Sequence, residues 1–293
     1  MDLAGKIAIV TGSSRGIGRA IALGLAREGV QVVVAAKSVR ARERLPGTIH
    51  TVIAEIEAAG GTAHAVACDV RDREQVRALV ASAVERFGRL DIVVSNAGAL
   101  WWRPLLETPE KRYDLVMKVN LDATFFLCQA AIPYLRERGG HLITISPPLD
   151  LDLLPTRIAY LASKFGMTMI ALGLARELRE DGIAANALWP LTIIESQASV
   201  NWNLGDPSLW RKPEIMADAV VGMVRHDPAA LTGQTLLDEP FLRSLGVTDF
   251  DRYSVVPGSR VPPLREVWDR LRADARSPEG ASSSRTCESK DPG

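Results

Sequence analysis

The chain has 293 residues, of which 47% are hydrophobic and 24% charged, a composition typical of a soluble globular protein. This length fits one domain, or one domain with an extension. Its 35 basic and 35 acidic side chains cancel to a formal net charge of zero, which argues against a general electrostatic attraction to nucleic acid or to an anionic membrane.

The cysteines and histidines give no sign of disulfides or of a metal site. Cys68, Cys128 and Cys287 are widely separated and odd in number, as expected for reduced thiols in a cytosolic protein. The four histidines form no ligand spacing with each other or with the cysteines, so we expect no metal. The first residues lack the pattern of a signal peptide, and no unbroken run of about 18 apolar residues is present. We therefore expect a cytoplasmic protein without a membrane span.

Strand-like and helix-like segments alternate from residue 6 to about residue 190. Short runs rich in apolar and β-branched residues predict strands at 6–11, 30–35, 62–67, 90–95, 141–146 and 183–188. Helical periodicity between these runs predicts helices at 19–27, 48–59, 74–87, 109–135 and 158–180. Strands that are apolar on both faces and alternate with helices indicate an α/β fold, a doubly wound parallel sheet of the Rossmann type with helices on both faces.

The alternation ends at Pro190. We predict a long loop with room for a short helix at 191–213, then a helix at 212–224 and a last strand at 233–237. The remainder is predicted to be irregular over 239–270, except for a short helix at 264–271, and the Ser-rich end is predicted to be disordered. The predicted organisation is therefore one domain over 1–240, an irregular extension over 241–275 and a disordered tail over 276–293.

The turn Thr11-Gly-Ser-Ser-Arg-Gly-Ile-Gly18 joins the first predicted strand to the first helix. Gly12 allows a tight turn, while Gly16 and Gly18 let the backbone approach a pyrophosphate and let the helix pack close to the strand. The free N–H groups of the helix N-terminus would then face the anion. The turn predicts a dinucleotide site, with a purely structural turn as the alternative.

Tyr160 and Lys164 are four residues apart, which places both side chains on one face of the helix predicted at 158–180. A phenol, with an ordinary pKa of about 10, is a poor acid–base group at neutral pH, and a neighbouring ammonium lowers that pKa. The pair predicts proton transfer to a carbonyl oxygen. Taken alone, it also fits two ordinary neighbours on a helix surface.

The glycine spacing, Gly-x-x-x-Gly-x-Gly, resembles that of the short-chain dehydrogenase/reductase family. Further similar motifs follow in the family's order: Asp69 after the third strand, Asn96-Ala-Gly98 after the fourth, Asn120 in the next helix, and then Tyr160 with Lys164. The resemblance covers roughly residues 4–240. It is this ordered set, more than any one motif, that favours the proton-transfer interpretation of Tyr160 and Lys164.

The resemblance implies a role for each of these residues. Tyr160 would donate a proton to the carbonyl as hydride arrives, Lys164 would lower the Tyr160 pKa and bind the nicotinamide ribose, and Asn120 would hold a water that relays protons to Lys164. The cofactor contacts that it implies are Gly12, Ser14, Arg15, Gly16, Ile17, Gly18, Lys37, Asp69, Val70, Asn96, Ala97, Gly98, Tyr160, Lys164, Pro190, Thr192 and Ile193.

The end of the second strand indicates which cofactor is preferred. Ala36 occupies the position where an NAD-preferring member would carry Asp, which binds the ribose hydroxyls and repels a 2′-phosphate. Lys37 follows, and Arg15 lies in the glycine turn. Two cations without a carboxylate favour a 2′-phosphate, so we predict NADP(H) over NAD(H). The alternative is that both cations are solvated surface charges.

One residue of the family pattern is missing. The family's usual Ser lies thirteen residues before the Tyr, and here that position holds Pro147. Proline also lacks an N–H, so the backbone at Pro147 or Pro148 cannot take over the hydrogen bond to the substrate oxygen. Ser146 would do so only if the two prolines bend the strand end, because successive strand side chains point to opposite faces.

The run Ser146-Pro147-Pro148 also resembles the hydroxysteroid-dehydrogenase-like subgroup of this family, as does Asn186-Ala-Leu-Trp-Pro190. The subgroup resemblance suggests lipid carbonyls as substrates. The tryptophans near the expected pocket fit a bulky apolar substrate but equally fit packing or subunit contacts: Trp101, Trp102, Trp189, Trp202 and Trp210.

We therefore predict an NADP(H)-dependent oxidoreductase that interconverts a carbonyl and an alcohol on an apolar, lipid-like or steroid-like small molecule. The resemblance implies a homodimer or homotetramer that associates through the helices near 109–135 and 158–180. No nucleic-acid partner is expected. Two alternatives remain open: a nucleotide-binding sensor or scaffold with vestigial catalysis, which Pro147 favours, and a lipid-binding module whose cofactor is structural.

Overall fold

The structure is a computed structural model that describes residues 1–41 and 46–266. The predicted disordered tail, and most of the helix predicted at 264–271, lie outside these residues.

Within the described chain, seven parallel strands form one sheet in the order β3-β2-β1-β4-β5-β6-β9. The strands are β1 (Ile7–Thr11), β2 (Gln31–Ala36), β3 (Ala63–Ala67), β4 (Ile92–Ser95), β5 (Gly140–Ile145), β6 (Ile183–Trp189) and β9 (Thr235–Leu237). A separate two-stranded pair joins β7 (Ile193–Ile194) to β8 (Trp210–Arg211). The α/β fold predicted from the alternating apolar runs is confirmed.

Helices cover both faces of the sheet. They are α1 (Gly16–Arg27), α2 (Ile49–Ala58), α3 (Arg73–Phe87), α4 (Glu110–Val116), α5 (Ala123–Leu135), α6 (Ile158–Glu177), α7 (Gln197–Asn201), α8 (Glu214–Val224) and α9 (Asp238–Ser244). Alternate residues of the central strands belong to different cores: Ala8 and Val10 pack in the core that includes α1 and α8, whereas Ile9 packs in the core that includes α3 and α5. This explains why β1 is apolar at each position from Ile7 to Val10.

The region predicted as one helix at 109–135 is interrupted. A π-helical stretch, Met117–Asp122, separates α4 from α5 and contains the fully buried Asn120. Such insertions are frequent at functional sites, and no apolar periodicity marks them in advance.

The region after Pro190 is more ordered than the sequence predicts. The predicted loop contains β7, β8 and α7, which begins with a reciprocal cap between the side chains and backbones of Ser196 and Ser199. The prediction of irregular structure from residue 239 is wrong for α9, whose core face carries Phe241 and Leu242. The amphipathic segment is short, so its period gave a weak signal.

Two helical stretches, Glu110–Leu135 and Ile158–Glu177, are long and apolar enough to pass a hydropathy test for membrane spans, although the sequence has no unbroken apolar run. Core helices pass the same test. Here α5 packs against α3 and the sheet, and α6 packs against β5 and β6, so internal packing accounts for part of their apolar composition.

Candidate active site

The carboxyl ends of the parallel strands open into a cavity of about 490 Å³. Strand order reverses at β1, which pairs with β2 on one side and β4 on the other. Open α/β sheets bind ligands at this kind of switch point. All seventeen residues predicted to contact the cofactor line this one cavity, whereas Asn120 and Ser146 do not.

The glycine turn lies at one wall of the cavity and leaves no room for side chains. A Cβ at Gly12, where φ is +67°, would lie 2.8 Å from the Cα of Ala97, and a Cβ at Gly18 would lie 2.5 Å from Asn96 Nδ2. The Asn96 amide donates to the Thr11 carbonyl at 2.8 Å, and Thr11 Oγ1 accepts from the backbone N–H of Ala97 at 3.1 Å. The two chain segments therefore support one another beneath the N-terminus of α1.

Cations gather where β2 ends. Arg15 donates to Ser38 Oγ at 3.0 Å and to the Gly47 carbonyl at 3.1 Å, so its guanidinium is held beside the segment that follows β2. Lys37 is exposed and also lines the cavity, next to the buried Ala36. Arg15 and Lys37 therefore place two positive charges at the end of β2, and the guanidinium of Arg15 is held in position by the protein.

Asp69 is the one carboxylate among the described cavity-lining residues. Arg71 binds it through side-chain hydrogen bonds, and these hold the pKa of the Asp69 carboxyl below its ordinary value. Lys37 lowers that pKa further through its charge. Asp69 is thus ionised and paired, and the negative charge at this wall is largely balanced.

Tyr160 and Lys164 lie one turn apart in α6, and both are buried. Lys164 Nζ donates to the Ile145 carbonyl at 2.9 Å, and the Trp102 ring packs edge-on against Tyr160 with centroids 6.1 Å apart. Burial lowers the Lys164 pKa to about 7 and raises the pKa of the Tyr160 phenol. The expectation that the ammonium lowers the Tyr160 pKa is therefore not met in this structure, because desolvation is the larger influence.

Asn120 supports the active-site wall instead of lining the cavity. Its Oδ1 accepts from the Ala99 N–H at 2.7 Å, while its Nδ2 donates to the Ala99 carbonyl at 3.0 Å and to Ser163 Oγ at 2.8 Å. Ser163 in turn donates to the Tyr160 carbonyl at 2.6 Å. The amide therefore joins the segment after Gly98 to the turn of α6 that carries Tyr160.

The Ser146 hydroxyl points away from the cavity. Its Oγ lies 2.8 Å from Thr144 Oγ1 and 3.0 Å from Thr168 Oγ1, and its N–H still donates to the Leu188 carbonyl as β5 would require. The strand end is not bent, so the re-aiming that would make Ser146 a substrate-oxygen donor does not occur in this structure. Thr168 also donates to the Pro147 carbonyl at 2.6 Å and fixes this turn against α6.

The segment after β6 forms the opposite wall through Pro190, Thr192 and Ile193. The buried carboxylate of Asp238, at the start of α9, accepts from the Leu191 N–H at 2.8 Å. Burial raises the pKa of Asp238 to about 6, although hydrogen bonds from the Leu191 and Glu239 backbones lower it. Asp238 was not predicted from the sequence, because an acidic residue at a helix start ordinarily indicates a cap.

The tryptophans divide into two groups. Trp102 and Trp189 line the cavity. Trp101 and Trp202 pack edge-on with centroids 5.8 Å apart, whereas Trp210 is buried in a small cluster with Ile193. Apolar cavity residues that sequence reasoning did not single out complete this wall: Leu100, Leu115, Val119, Leu204 and Leu264. No spacing or motif marked them.

The comparisons with known proteins agree with this geometry. A family model for short chain dehydrogenases matches residues 6–205. The chain belongs to the short-chain dehydrogenase family. Over 265 residues it is 44% identical to hydroxysteroid dehydrogenase-like protein 2 of Bos taurus, a match that covers 89% of this chain and 63% of the relative. The chain therefore spans slightly less than two thirds of that relative's length.

Solved structures of short-chain dehydrogenases are similar in fold. A short-chain dehydrogenase from Mycobacterium thermoresistibile is 42% identical, with a TM-score of 0.83 and coverage of 89% of this chain and 94% of that one. A Mycobacterium paratuberculosis member bound to NAD is 26% identical, covers 81% of this chain and 97% of its own, and has a TM-score of 0.70. A metagenomic member in complex with NADP is 30% identical, covers 81% and 98%, and has a TM-score of 0.69.

Short-chain dehydrogenases are oxidoreductases that bind nicotinamide cofactors, and the residues of this cavity fit such a group. Gly12 and Gly18 let the turn pack directly against Asn96 and Ala97, and the turn and the start of α1 line the cavity where a pyrophosphate would bind a helix N-terminus. Among the described residues, Thr192 Oγ1 is a buried hydroxyl that lacks a hydrogen-bond partner, and its residue lines the cavity. A buried polar atom of this kind is available to a polar group of a ligand.

Proposed function

We propose that this protein is an NADP(H)-dependent oxidoreductase that interconverts a carbonyl and an alcohol on an apolar small molecule. The observation that carries the proposal is that Tyr160 and Lys164 are buried in the same cavity as the glycine turn. A proton-transfer pair assists hydride chemistry only where cofactor and substrate meet. This cavity is lined both by the glycine turn expected to bind the cofactor and by Tyr160 and Lys164.

When bound, the nicotinamide supplies the hydride to the carbonyl carbon or accepts it from the alcohol carbon. Tyr160 keeps its proton at neutral pH, since burial raises its pKa, and can donate it to the substrate oxygen as negative charge develops there. Lys164, with a pKa of about 7, is partly protonated near neutral pH and can stabilise the phenolate left behind. Asn120, through Ala99 and Ser163, keeps the surrounding segments in place.

The preference for NADP(H) rests on charge at the end of β2. A 2′-phosphate placed near Ser38 would meet the guanidinium of Arg15 and the ammonium of Lys37, with Ala36 in place of a carboxylate. Arg71 also lines this part of the cavity, but it is committed to Asp69. Arg15 and Lys37 are therefore the residues that we expect to discriminate between the two cofactors.

The apolar lining supports an apolar substrate. Trp102 lies against Tyr160, and Trp189 and Leu204 line the same cavity. Pockets of this composition gain most of their affinity from burying ligand carbon, with a few polar groups that fix orientation. The lipid-like or steroid-like carbonyls that the subgroup resemblance implies are consistent with this lining.

The proposal is tested by titrating the protein with NADPH and with NADH while following cofactor fluorescence, and then by screening aldehydes, ketones and alcohols for turnover. We expect tighter binding of NADPH and turnover of apolar carbonyls. Equal affinity for both cofactors would refute the assignment of Arg15 and Lys37. Binding without turnover of any substrate would favour the second candidate.

That second candidate is a nucleotide-binding sensor or scaffold with vestigial catalysis. It is favoured by the end of β5, where Pro147 replaces the usual Ser and the Ser146 hydroxyl is bonded to Thr144 and Thr168 instead of facing the cavity. Loss of one such donor costs about 10²–10³ in rate, which weakens catalysis without abolishing cofactor binding.

We also propose that the protein is a cytoplasmic homo-oligomer that associates through α5 and α6. Phe125 on α5 is 49% exposed and Met169 on α6 is 58% exposed, so each helix presents a large apolar side chain to solvent. Sedimentation of the wild type and of a variant with Phe125→Lys and Met169→Lys tests this. A wild type that sediments as a monomer would refute it.

A further inference from the structure

A segment near the end of the described chain returns to the cavity. We define the strap as residues 256–266, the last part of the chain that the structure describes. Just before it, Ser254 pairs antiparallel with Arg211 of β8, and the Val255 N–H donates to the Trp210 carbonyl at 3.1 Å. The strap therefore starts from a backbone attachment to β8.

The strap is attached again at Leu264. The Leu264 N–H donates to the Leu191 carbonyl at 2.7 Å, one residue after Pro190. The preceding residues, Pro262 and Pro263, restrict the backbone and stiffen the approach to this bond. The Leu264 side chain packs with Ile193 and lines the cavity together with Tyr160.

The next residue, Arg265, connects the strap to the segment before α6. Arg265 donates to Asp152 Oδ2 at 2.8 Å, and its second terminal nitrogen lies 3.8 Å from Asp150 Oδ2. Both acids belong to the segment between Pro147 and α6, which carries Tyr160. Leu264 and Arg265 thus join the segment after β6 to the segment before α6.

The ion pair between Arg265 and Asp152 is exposed to water and can break. The Arg265 side chain is 63% exposed, and exposed ion pairs add little to stability because water competes for both partners and salt screens them. Leu264, by contrast, is partly buried in the cluster with Trp210. The charged pair can therefore set how firmly the strap is held without determining whether the domain folds.

We propose that Leu264 contacts the substrate and sets the size of the apolar pocket, and that Arg265, through Asp152, holds Leu264 in that place. The inference rests on the proposed function, because it assigns the apolar part of the cavity to the substrate. The ligand that this wall recognises is an aliphatic or alicyclic carbon skeleton, since Leu264 and its neighbours Ile193 and Leu204 offer only hydrocarbon to it. Arg265 is a positioning residue and acts through the strap.

The test compares NADPH-dependent reduction of hexanal and decanal by the wild type, Leu264→Ala and Arg265→Gln. Removing most of the Leu264 side chain should raise the decanal-to-hexanal ratio of kcat/KM by about 10-fold, a size effect usual for apolar pockets. Arg265→Gln frees Leu264 to leave its place, so it should raise the same ratio by a smaller factor, through a higher KM for hexanal, and leave kcat and NADPH affinity unchanged. Asp152→Asn should match Arg265→Gln, and the double variant should add nothing further.

Two exposed residues give matched controls. Leu106 is 96% exposed, and Arg77 pairs with Glu74 on the surface of α3. Leu106→Ala and Arg77→Gln should therefore leave the decanal-to-hexanal ratio of kcat/KM, and both KM values, as in the wild type. A decanal-to-hexanal ratio that is unchanged in Leu264→Ala would overturn the proposal. So would an Arg265→Gln variant identical to the wild type, and that exposed change does not threaten folding.

A binding measurement separates this inference from the proposed function. Displacement of the apolar dye 1-anilinonaphthalene-8-sulfonate by 1-hexanol and 1-decanol reports on the pocket without turnover. If neither aldehyde is reduced but Leu264→Ala shifts the decanol affinity relative to hexanol, the proposed function fails and the strap assignment stands. If the aldehydes are reduced but Leu264→Ala shifts neither the decanal-to-hexanal ratio of kcat/KM nor the decanol affinity relative to hexanol, the proposed function stands and the strap assignment fails.

Discussion

Lys164 Nζ donates a hydrogen bond to the carbonyl oxygen of Ile145, 2.9 Å away. This bond joins the helix that carries Tyr160 to the last residue of β5, immediately before Ser146 and Pro147. Four residues further along α6, Thr168 donates to the Pro147 carbonyl at 2.6 Å. The end of β5 is therefore fixed by α6 at two points, and this accounts for its regular course despite two consecutive prolines.

The burial of Lys164 predicts a distinct dependence of stability on pH. Burial lowers the folded pKa of Lys164 to about 7 from its ordinary 10.5, so the unfolded chain binds more protons between these values. Stability should therefore rise with pH across this window, and below about pH 7 the cost of burying the charge is fully present. Lys164→Met carries no titratable group at this position, so its stability lacks this cost and the pH dependence that comes with it.

Urea unfolding of the wild type and Lys164→Met at several pH values from 6 to 10 checks this prediction. The stability of the wild type relative to Lys164→Met should increase as the pH rises, by up to about 4 kcal/mol between pH 7 and 10. Lys111→Met, on the exposed side of α4, serves as the control. A difference between wild type and Lys164→Met that stays constant with pH would contradict the assignment.

Cofactor preference should change with the charge at the end of β2. Ala36→Asp places a carboxylate beside the expected 2′-phosphate, and Lys37→Gln removes one of the two cations. The double variant should lose about 10²-fold or more in NADPH affinity, because each charge-assisted hydrogen bond contributes about 1.5–3 kcal/mol. Its NADH affinity should hold or improve. Fluorescence titration with both cofactors measures the ratio, and a ratio equal to that of the wild type would argue that Lys37 is only a solvated surface charge.

The end of β5 predicts opposite results for two neighbouring substitutions. Pro147→Ser restores a hydroxyl at the family's usual position and should raise kcat by up to about 10²–10³-fold. Ser146→Ala removes a hydroxyl that is bonded to Thr144 and Thr168, so it should lower stability by about 1 kcal/mol and leave kcat unchanged. Steady-state kinetics and urea unfolding distinguish them. A large loss of kcat in Ser146→Ala would show that the hydroxyl reaches the substrate after all.

Asp238 should act on the cofactor through the Leu191 N–H. Asp238→Ala leaves that buried donor without its acceptor and should weaken NADPH binding by about 10-fold, whereas Asp238→Asn keeps an oxygen in place and should bind almost normally. Because burial raises the folded pKa of Asp238 to about 6, against the influence of Arg211, its contribution to stability is present below about pH 4 and is lost as the pH rises through 6.

The predicted effect of Asp238 ionisation on stability is tested by comparing the pH dependence of unfolding in the wild type and Asp238→Asn. The wild type should lose stability relative to the variant between pH 4 and 7, since only the wild type must ionise a buried carboxyl. Equal NADPH affinity in Asp238→Ala and the wild type would show that Leu191 needs no support from this residue.

The sequence predicted the parts of this protein that depend on local pattern. The strands could be predicted because both faces of a parallel sheet are buried, so apolar runs such as that of β2 mark them directly. The glycine turn could be predicted because only glycine fits at Gly12 and Gly18. The family resemblance then gathered seventeen residues that all line one cavity.

What could not be predicted depends on long-range contacts. Leu264 reaches the cavity through a backbone bond to Leu191, and no spacing or composition in the extension indicates that bond. The π-helical stretch around Asn120 and the hydrogen bond from Leu191 to Asp238 are likewise set by tertiary packing. The pKa expectation for Tyr160 failed for a related reason, because burial cannot be inferred from the four-residue spacing alone.

Replacing Tyr160 with Phe tests the central claim most directly. The phenyl ring keeps the packing against Trp102 and removes only the acid, so NADPH affinity and urea stability should stay within error of the wild type. The rate of NADPH oxidation with the best apolar carbonyl should fall by about 10²–10⁴-fold, as for the loss of a general acid. Turnover that is unaffected by Tyr160→Phe, with cofactor binding intact, would contradict the account.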